Sequence, residues 1–258
     1  MKATIIFLAI ISLTSCYSGE RGGEYATSPG ESGGQGGSMA RFAVNGDYLY
    51  TVDNNSLKMF DITNAAEPKY LPAKNQPLNF GVETIFPLDT LLFIGTRNGM
   101  YVYDVRLPEF PQQLAHVTHI TSCDPVVADG KYAYVTLNSA NIFCGRNSNL
   151  LQIYDLQDIE KPQLIKELIG FNNPLGLGIV GDRLYICDNG IKEYDVSDPL
   201  QPQWIGDLSH ISEIQNIDTY DVIPLSDKIL LVIGGDGFYQ FDISGDKLKY
   251  ISSIKVKK

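Results

Sequence analysis

The sequence predicts an all-β fold made from one four-stranded unit used five times, and three observations predict it. First, an aromatic residue, an aspartate and an aliphatic residue stand together five times, at Phe60-Asp61-Ile62, Tyr103-Asp104-Val105, Tyr154-Asp155-Leu156, Tyr194-Asp195-Val196 and Phe241-Asp242-Ile243. The aspartates are 43, 51, 40 and 47 residues apart, and in the first four copies a proline follows at the seventh position, at Pro68, Pro111, Pro162 and Pro202. Second, a hydrophobic triplet recurs just after a turn signal, as in Tyr48-Leu49-Tyr50 after Asn45-Gly46-Asp47 and Tyr132-Ala133-Tyr134 after Asp129-Gly130. Third, short runs rich in Tyr, Val and Ile alternate with turns, and no helical period follows the N-terminal apolar segment. A fixed internal period marks a repeat architecture, and short strands with regular turns mark an all-β one.

Each copy divides into four strands. Strand A runs before the turn, as in Arg41 to Val44 or Val126 to Ala128. Strand B is the triplet with its next residues, strand C ends in the aromatic-Asp box, and strand D follows the proline, as in Gln163-Leu164-Ile165 and Gln203-Trp204-Ile205. Four strands per unit and five units predict a β-propeller of five four-stranded blades. A single blade cannot bury both of its faces, so its neighbours supply the core. The box aromatic is expected between blades. The box aspartate is expected to bond backbone amides in the C–D turn, whose φ the proline helps to fix. Five equivalent aspartates make a scaffold device, not five active sites.

The N-terminal end reads differently. Met1-Lys2 and the uncharged apolar stretch Ala3 to Leu13 form a signal segment too short to span a bilayer. It ends in Leu13-Thr14-Ser15-Cys16, which resembles the bacterial lipobox and implies lipidation at Cys16. Such a chain would be anchored to a membrane rather than spanning it. Residues 17–38 carry 8 glycines in 22 positions and are expected to be a flexible tether. Residues 39–258 are expected to be the propeller. The net charge is -10, and removing the signal segment takes away only Lys2. That balance excludes non-specific nucleic-acid binding and a basic membrane-docking face.

The unit that ends in Tyr194-Asp195-Val196-Ser197-Asp198-Pro199-Leu200-Gln201-Pro202 resembles the LVIVD repeat of bacterial surface and exported proteins, lipoproteins among them. The resemblance covers residues 39–258, with one departure: Lys249 stands where the fifth copy would have its proline. It implies a propeller and an exported location, and it carries over no catalytic residue.

In a propeller the start of strand A, the B–C loops and the D–A loops share one face, here called the top. The irregularities of the repeat fall there: a B–C insertion at Asn138 to Asn149 and a long D–A stretch from Gln203 to Tyr220. Loops on a rigid scaffold are the usual place for binding. Strand A opens at Ala40, Glu83, Asp124, Leu175 and Asp221, so Glu83, Asp124 and Asp221 are expected to converge at the channel mouth, with His119 and His210 on the same rim. Such a set could hold a divalent cation. Asp53 and Asp188 end strand B on that face, and His116 is expected to face solvent from the outer strand. Cys123 and Cys144 fall on one blade and are expected to form a disulfide pinning the inserted loop. Cys187 is expected to be a buried structural thiol. Catalytic signatures are lacking: there is no Gly-x-Ser-x-Gly elbow, and Gly234-Gly235-Asp236-Gly237 is a turn rather than a phosphate loop.

The expected function is therefore that of a non-catalytic, lipid-anchored propeller of the bacterial cell envelope, at the outer membrane. It would have no cofactor and would bind an envelope protein or an extracellular polymer. The alternative is a cation-binding or glycan-acting enzyme that uses the acidic channel mouth.

Overall fold

The computed structural model describes residues 36–79, 81–118, 125–139, 149–207, 211, 212, 214, 217–245 and 247–256. Within them lie five antiparallel sheets, each made from one contiguous stretch of chain. Blade 1 is β1 (Phe42–Asn45), β2 (Tyr48–Val52), β3 (Ser56–Asp61) and a short β4 (Lys69–Tyr70). A 3₁₀ turn at Pro72–Lys74 then leads to β5 (Gln76–Pro77), which returns to pair with β3. Blade 2 is β6 (Val82–Leu88), β7 (Leu91–Thr96), β8 (Gly99–Asp104) and β9 (Gln112–Thr118). Blade 3 is β10 (Val126–Ala128), β11 (Tyr132–Leu137), β12 (Leu150–Asp155) and β13 (Gln163–Ile169). Blade 4 is β14 (Leu177–Val180), β15 (Arg183–Cys187), β16 (Ile191–Asp195) and β17 (Gln203–Asp207). Blade 5 is β18 (Thr219–Pro224), β19 (Ile229–Gly234), β20 (Gly237–Asp242) and β21 (Lys249–Lys255).

The box does the same work in every blade. Its aspartate accepts the amide two residues on: Asp61 from Thr63, Asp104 from Arg106, Asp155 from Gln157, Asp195 from Ser197 and Asp242 from Ser244, all at 2.7–2.9 Å. This is the Asx turn, in which a side chain stands in for a backbone carbonyl. The aliphatic box residue donates its own amide to the A–B turn at 2.8 Å in all five blades, as from Val196 to the Asp182 carbonyl. Each +7 proline immediately precedes strand D, where its missing N–H leaves no bond unmade. In blades 2 to 5 the C–D ladder shifts register just before the box aromatic. Tyr103, Tyr154, Tyr194 and Phe241 are buried by this arrangement.

Four apolar clusters fill the junctions between consecutive blades, and each draws residues from both partners. The forward face of one blade contributes the last triplet residue, which is fully buried at Tyr50, Phe93, Tyr134 and Tyr185. The facing blade contributes Ile85, Val126, Leu177 or Val222 from strand A, also fully buried. Pairing register makes Phe42 the blade 1 counterpart of these four residues. Phe42 is 58% exposed. Its opposite number on blade 5, Leu231, is only half-buried. Among the described residues no fifth apolar cluster joins blade 5 to blade 1.

A polar contact stands at that seam instead. Residues 37–39, expected to be tether or domain edge, run beside β18. The Ser38 hydroxyl donates to Asp221 Oδ1 (2.8 Å) and accepts from the Leu177 amide of blade 4 (2.8 Å). The Met39 amide donates to Asp221 Oδ2 (3.2 Å) and the Val222 amide to Oδ1 (3.0 Å). Ser38 and Asp221 are both buried. A methyl group on Gly37 or on Gly176 would overlap the Asp221 carboxylate, so both glycines are required by this packing. Burial pushes the Asp221 carboxyl up to about 6 from 3.8, against the opposing pull of the bonds from Ser38, Met39 and Val222.

Two predictions follow from these contacts. Asp195→Ala removes an Asx acceptor and is expected to lower the thermal midpoint by a few degrees, while Asp195→Asn keeps an acceptor and most of the stability, as read by circular dichroism. Asp221→Ala strands buried donors and is expected to cost about 2–3 kcal/mol in urea unfolding. Because the folded pKa of Asp221 lies above its unfolded value, its contribution is complete below about 3.8 and is lost as the pH rises through about 6. Wild type should therefore gain on Asp221→Asn when the pH falls from 7 to 4, by up to about 3 kcal/mol. A difference that stays flat across that interval would contradict the assignment.

Candidate functional site

The top face gathers one concave mouth of about 380 Å³. Blade 1 supplies Met39, Arg41 and, from its B–C turn, Asn54. Blade 2 supplies Val82, Glu83 and Thr84 at the start of β6, and Arg97 from its B–C turn. Pro125, Asn138 and Leu175 close the far side from blades 3 and 4. Strand A starts, B–C turns and D–A connections thus meet in one hollow, as antiparallel connectivity requires. A larger depression of about 500 Å³ lies on the other face between blades 3 and 4, lined by the A–B turns and by Val196 and Ser197 of a box. It is built from scaffold parts that every blade repeats, so the mouth is the stronger candidate.

Of the acidic residues expected at the mouth, Glu83 is in its lining. Glu83 is the extra residue of a β-bulge, since Val82 pairs with Thr96 while Thr84 pairs with Gly95. A bulge re-aims a side chain, and here Glu83 lines the mouth, where its Oε1 accepts from Arg97 Nε (3.0 Å). Gly81, at φ +92°, leaves room for the Arg97 stem, which a Cβ there would crowd. Arg41 reaches over from blade 1 and its Nη2 donates to the Val82 carbonyl (2.7 Å). Among the described residues, the Arg41 and Arg97 guanidinium groups and the Glu83 carboxylate therefore stand together.

Asp221 does not belong to that set. Blade 5 has the same bulge, with Thr219 paired to Gly234 and Asp221 to Ile233, so Tyr220 is the counterpart of Glu83. Asp221 stands one place further on and is buried against Ser38. The A–B turn of blade 5 is one residue longer than that of blade 2, with five residues between the paired Pro224 and Leu230 against four between Pro87 and Leu92, and counting back from the triplet therefore placed Asp221 in the wrong column. Asp124, His119 and His210 lie outside the described residues, as do Cys16, Cys123 and Cys144. Among the described residues no three His, Cys, Asp or Glu side chains are grouped to hold a metal ion.

The other carboxylates singled out on this face are held by partners. Asp53 pairs with Lys58 and accepts from the Ser56 hydroxyl (2.8 Å), and the Lys58 ammonium holds its carboxyl well below the usual carboxylate range. Asp188 pairs with Lys192 (2.6 Å) and accepts the amides of Asn172 and Asn173, which ties down the connection from blade 3 to blade 4. Cys187 is fully buried and free, and burial pushes its thiol far up, away from thiolate chemistry. His116 is not a solvent-facing side chain: its ring stacks on Tyr101, with centroids 4.0 Å apart and planes 2° from parallel. Arg41 and Arg97 were missed by sequence reasoning. The signal that could have found them is their position, since Arg41 opens strand A and Arg97 sits in a B–C turn.

Solved structures share this architecture. A functionally unknown protein from Desulfotomaculum acetoxidans matches with a TM-score of 0.64 at 12% identity, over 81% of this chain and 67% of that one. The periplasmic gluconolactonase PpgL of Pseudomonas aeruginosa matches at 0.57 and 15%, over 82% and 68%. Apo AztD from Citrobacter koseri matches at 0.58 and 12%, over 80% and 59%. The chain thus spans about two thirds or less of the length of these relatives, and at such identities the likeness shows the fold alone. No curated protein matches the chain. Residues 36–71 match the model of the LVIVD repeat, and with the same box in all five blades the chain is a five-bladed β-propeller that carries this repeat.

Proposed function

We propose that this chain is a lipid-anchored, non-catalytic propeller of the bacterial cell envelope, held at the outer membrane through Cys16, whose top face binds an envelope protein or an extracellular polymer. What supports this reading is the state of the described carboxylates on that face. Glu83 is held by Arg97, Asp53 by Lys58, and Asp188 by Lys192 and two amides. Asp221 is held by Ser38 and Met39. Each of these carboxylates is engaged by a protein partner that fixes its place in the scaffold. Rigid blades that carry irregular loops on one face suit recognition instead.

Two measurements test this. Cys16→Ser is expected to move the chain from the membrane to the soluble fraction while leaving its thermal midpoint unchanged. Recovery of the lipidated protein from detergent-solubilised envelope after mild cross-linking is expected to bring down a partner in fixed ratio. The gluconolactonase likeness supplies the opposing outcome. If the purified chain opens gluconolactone well above the buffer rate and no partner is recovered, the binding role is overturned in favour of a hydrolytic one.

A further inference from the structure

We infer that the hollow between blades 3 and 4, on the face opposite the loops, binds a small zwitterion, a free amino acid or a short peptide that carries one ammonium and one carboxylate group. The backbone plan of this hollow is common to every junction, but its side chains are not. By their pairing with the box aspartate, Tyr48, Leu91, Tyr132 and Arg183 are counterparts. The Tyr48 hydroxyl crosses to Glu109 of blade 2 (3.0 Å), beside the Tyr50 hydroxyl on the Pro108 carbonyl (3.0 Å). Leu91 packs with Leu88 and Ile159 on the cluster shared with blade 3. Arg183 crosses to the Ile243 and Gly245 carbonyls of blade 5 (3.1 and 3.2 Å). Tyr132 makes no such crossing among the described residues, and the hydroxyl of Tyr134, the counterpart of Tyr50, turns back to Asp129 of its own blade (3.2 Å). A hollow of about 500 Å³ is left open there.

Opposite charges stand on its two walls. Blade 3 supplies Lys131 and Tyr132, and blade 4 supplies Asp182 and Ser197. Residues 125–139 and 149–207, which contain both walls, are all described. Among the described residues no hydrogen bond or ion pair engages any of these four side chains, so the ammonium and the carboxylate are not paired with each other. Asp129 also lines the hollow, but it already accepts the amides of Lys131 and Tyr132 (both 2.8 Å) and the Tyr134 hydroxyl. Its charge adds to that of Asp182 in attracting an ammonium group, while Lys131 is the complement of a carboxylate. One molecule that carries both groups makes a charge-assisted bond to each wall. Ala128, Ile179 and Val196 give it an apolar floor, and the volume suits a molecule of this size.

Calorimetric titration of the full chain in non-ionic detergent tests this with five probes: leucine, leucyl-leucine, leucinamide, 4-methylpentanoate and glucose. At least one of the two zwitterions is expected to bind about tenfold tighter than any of the other three. Which zwitterion binds better tells a free amino acid from a peptide. Lys131→Gln is expected to erase the advantage over leucinamide, which lacks the carboxylate. Asp182→Asn is expected to erase the advantage over 4-methylpentanoate, which lacks the ammonium. A purely structural role for these residues would not produce that exchange. Lys228→Gln, in the A–B turn of blade 5, should change neither. Circular dichroism shows whether each variant is folded. The inference is overturned if neither zwitterion binds, or if leucinamide, 4-methylpentanoate or glucose binds as tightly as the better one. It is also overturned if folded Lys131→Gln or folded Asp182→Asn binds that zwitterion like wild type. No macromolecular partner enters the titration and the hollow lies away from the loops, so partner capture from the envelope stands or falls by itself.

Discussion

The contact on which the arrangement of blades depends is that between Ser38 and Asp221. Each sheet is built from contiguous chain, so no strand is exchanged between the first and last blades to lock them. Apolar clusters hold the four sequential junctions, and chain connectivity assists each of them. The junction between blades 5 and 1 has neither advantage, and Phe42 stays largely exposed beside it. There a hydroxyl and two amides converge on one carboxylate, and the same hydroxyl accepts from blade 4. One serine thus ties the N-terminal side of blade 1 to two other blades. The stakes are high because the group is buried: fully bonded it specifies position, and left unpaired it would cost more than it contributes.

The four ordinary junctions show why a box of three residues can organise some 220. The aromatic residue provides the buried area, the aspartate shapes the turn through the Asx bond, and the aliphatic residue ties that turn to the A–B turn beside it. Each function is local to a few residues, so the unit can be copied while the loops on the other face vary. Blade 1, which no apolar cluster among the described residues joins to blade 5, departs from the pattern. Its outermost strand is cut to Lys69–Tyr70, and Phe60, the box aromatic, is only half-buried.

Most of this was legible in the sequence because it repeats. Strand order, blade number and the role of the box aspartates all follow from equivalence among copies. What could not be read arises where copies differ by something other than composition. The A–B turn of blade 5 is one residue longer than that of blade 2, while both blades carry the same bulge in strand A. Counting back from the hydrophobic triplet therefore put Asp221 level with Glu83, when its side chain belongs to the seam. Gly37 and Ser38 have the composition of the tether that precedes them, and only the carboxylate they pack against gives them a place in the fold. His116 has the alternation of an exposed strand position, and the flat ring of Tyr101 on the paired strand is what claims it.

The partners of Glu83 at the mouth were not legible for a related reason. Electrostatic character is set by which charges face each other, and strand position alone does not say this. Glu83 is present as expected, but Arg97 arrives from a turn to pair with it and Arg41 reaches over from blade 1. The mouth and the seam also share residues. Met39 donates its amide to Asp221 and lines the mouth with its side chain, and Arg41 lies two residues further along the same chain. A change that loosens the seam must therefore displace one wall of the mouth and the guanidinium fork with it.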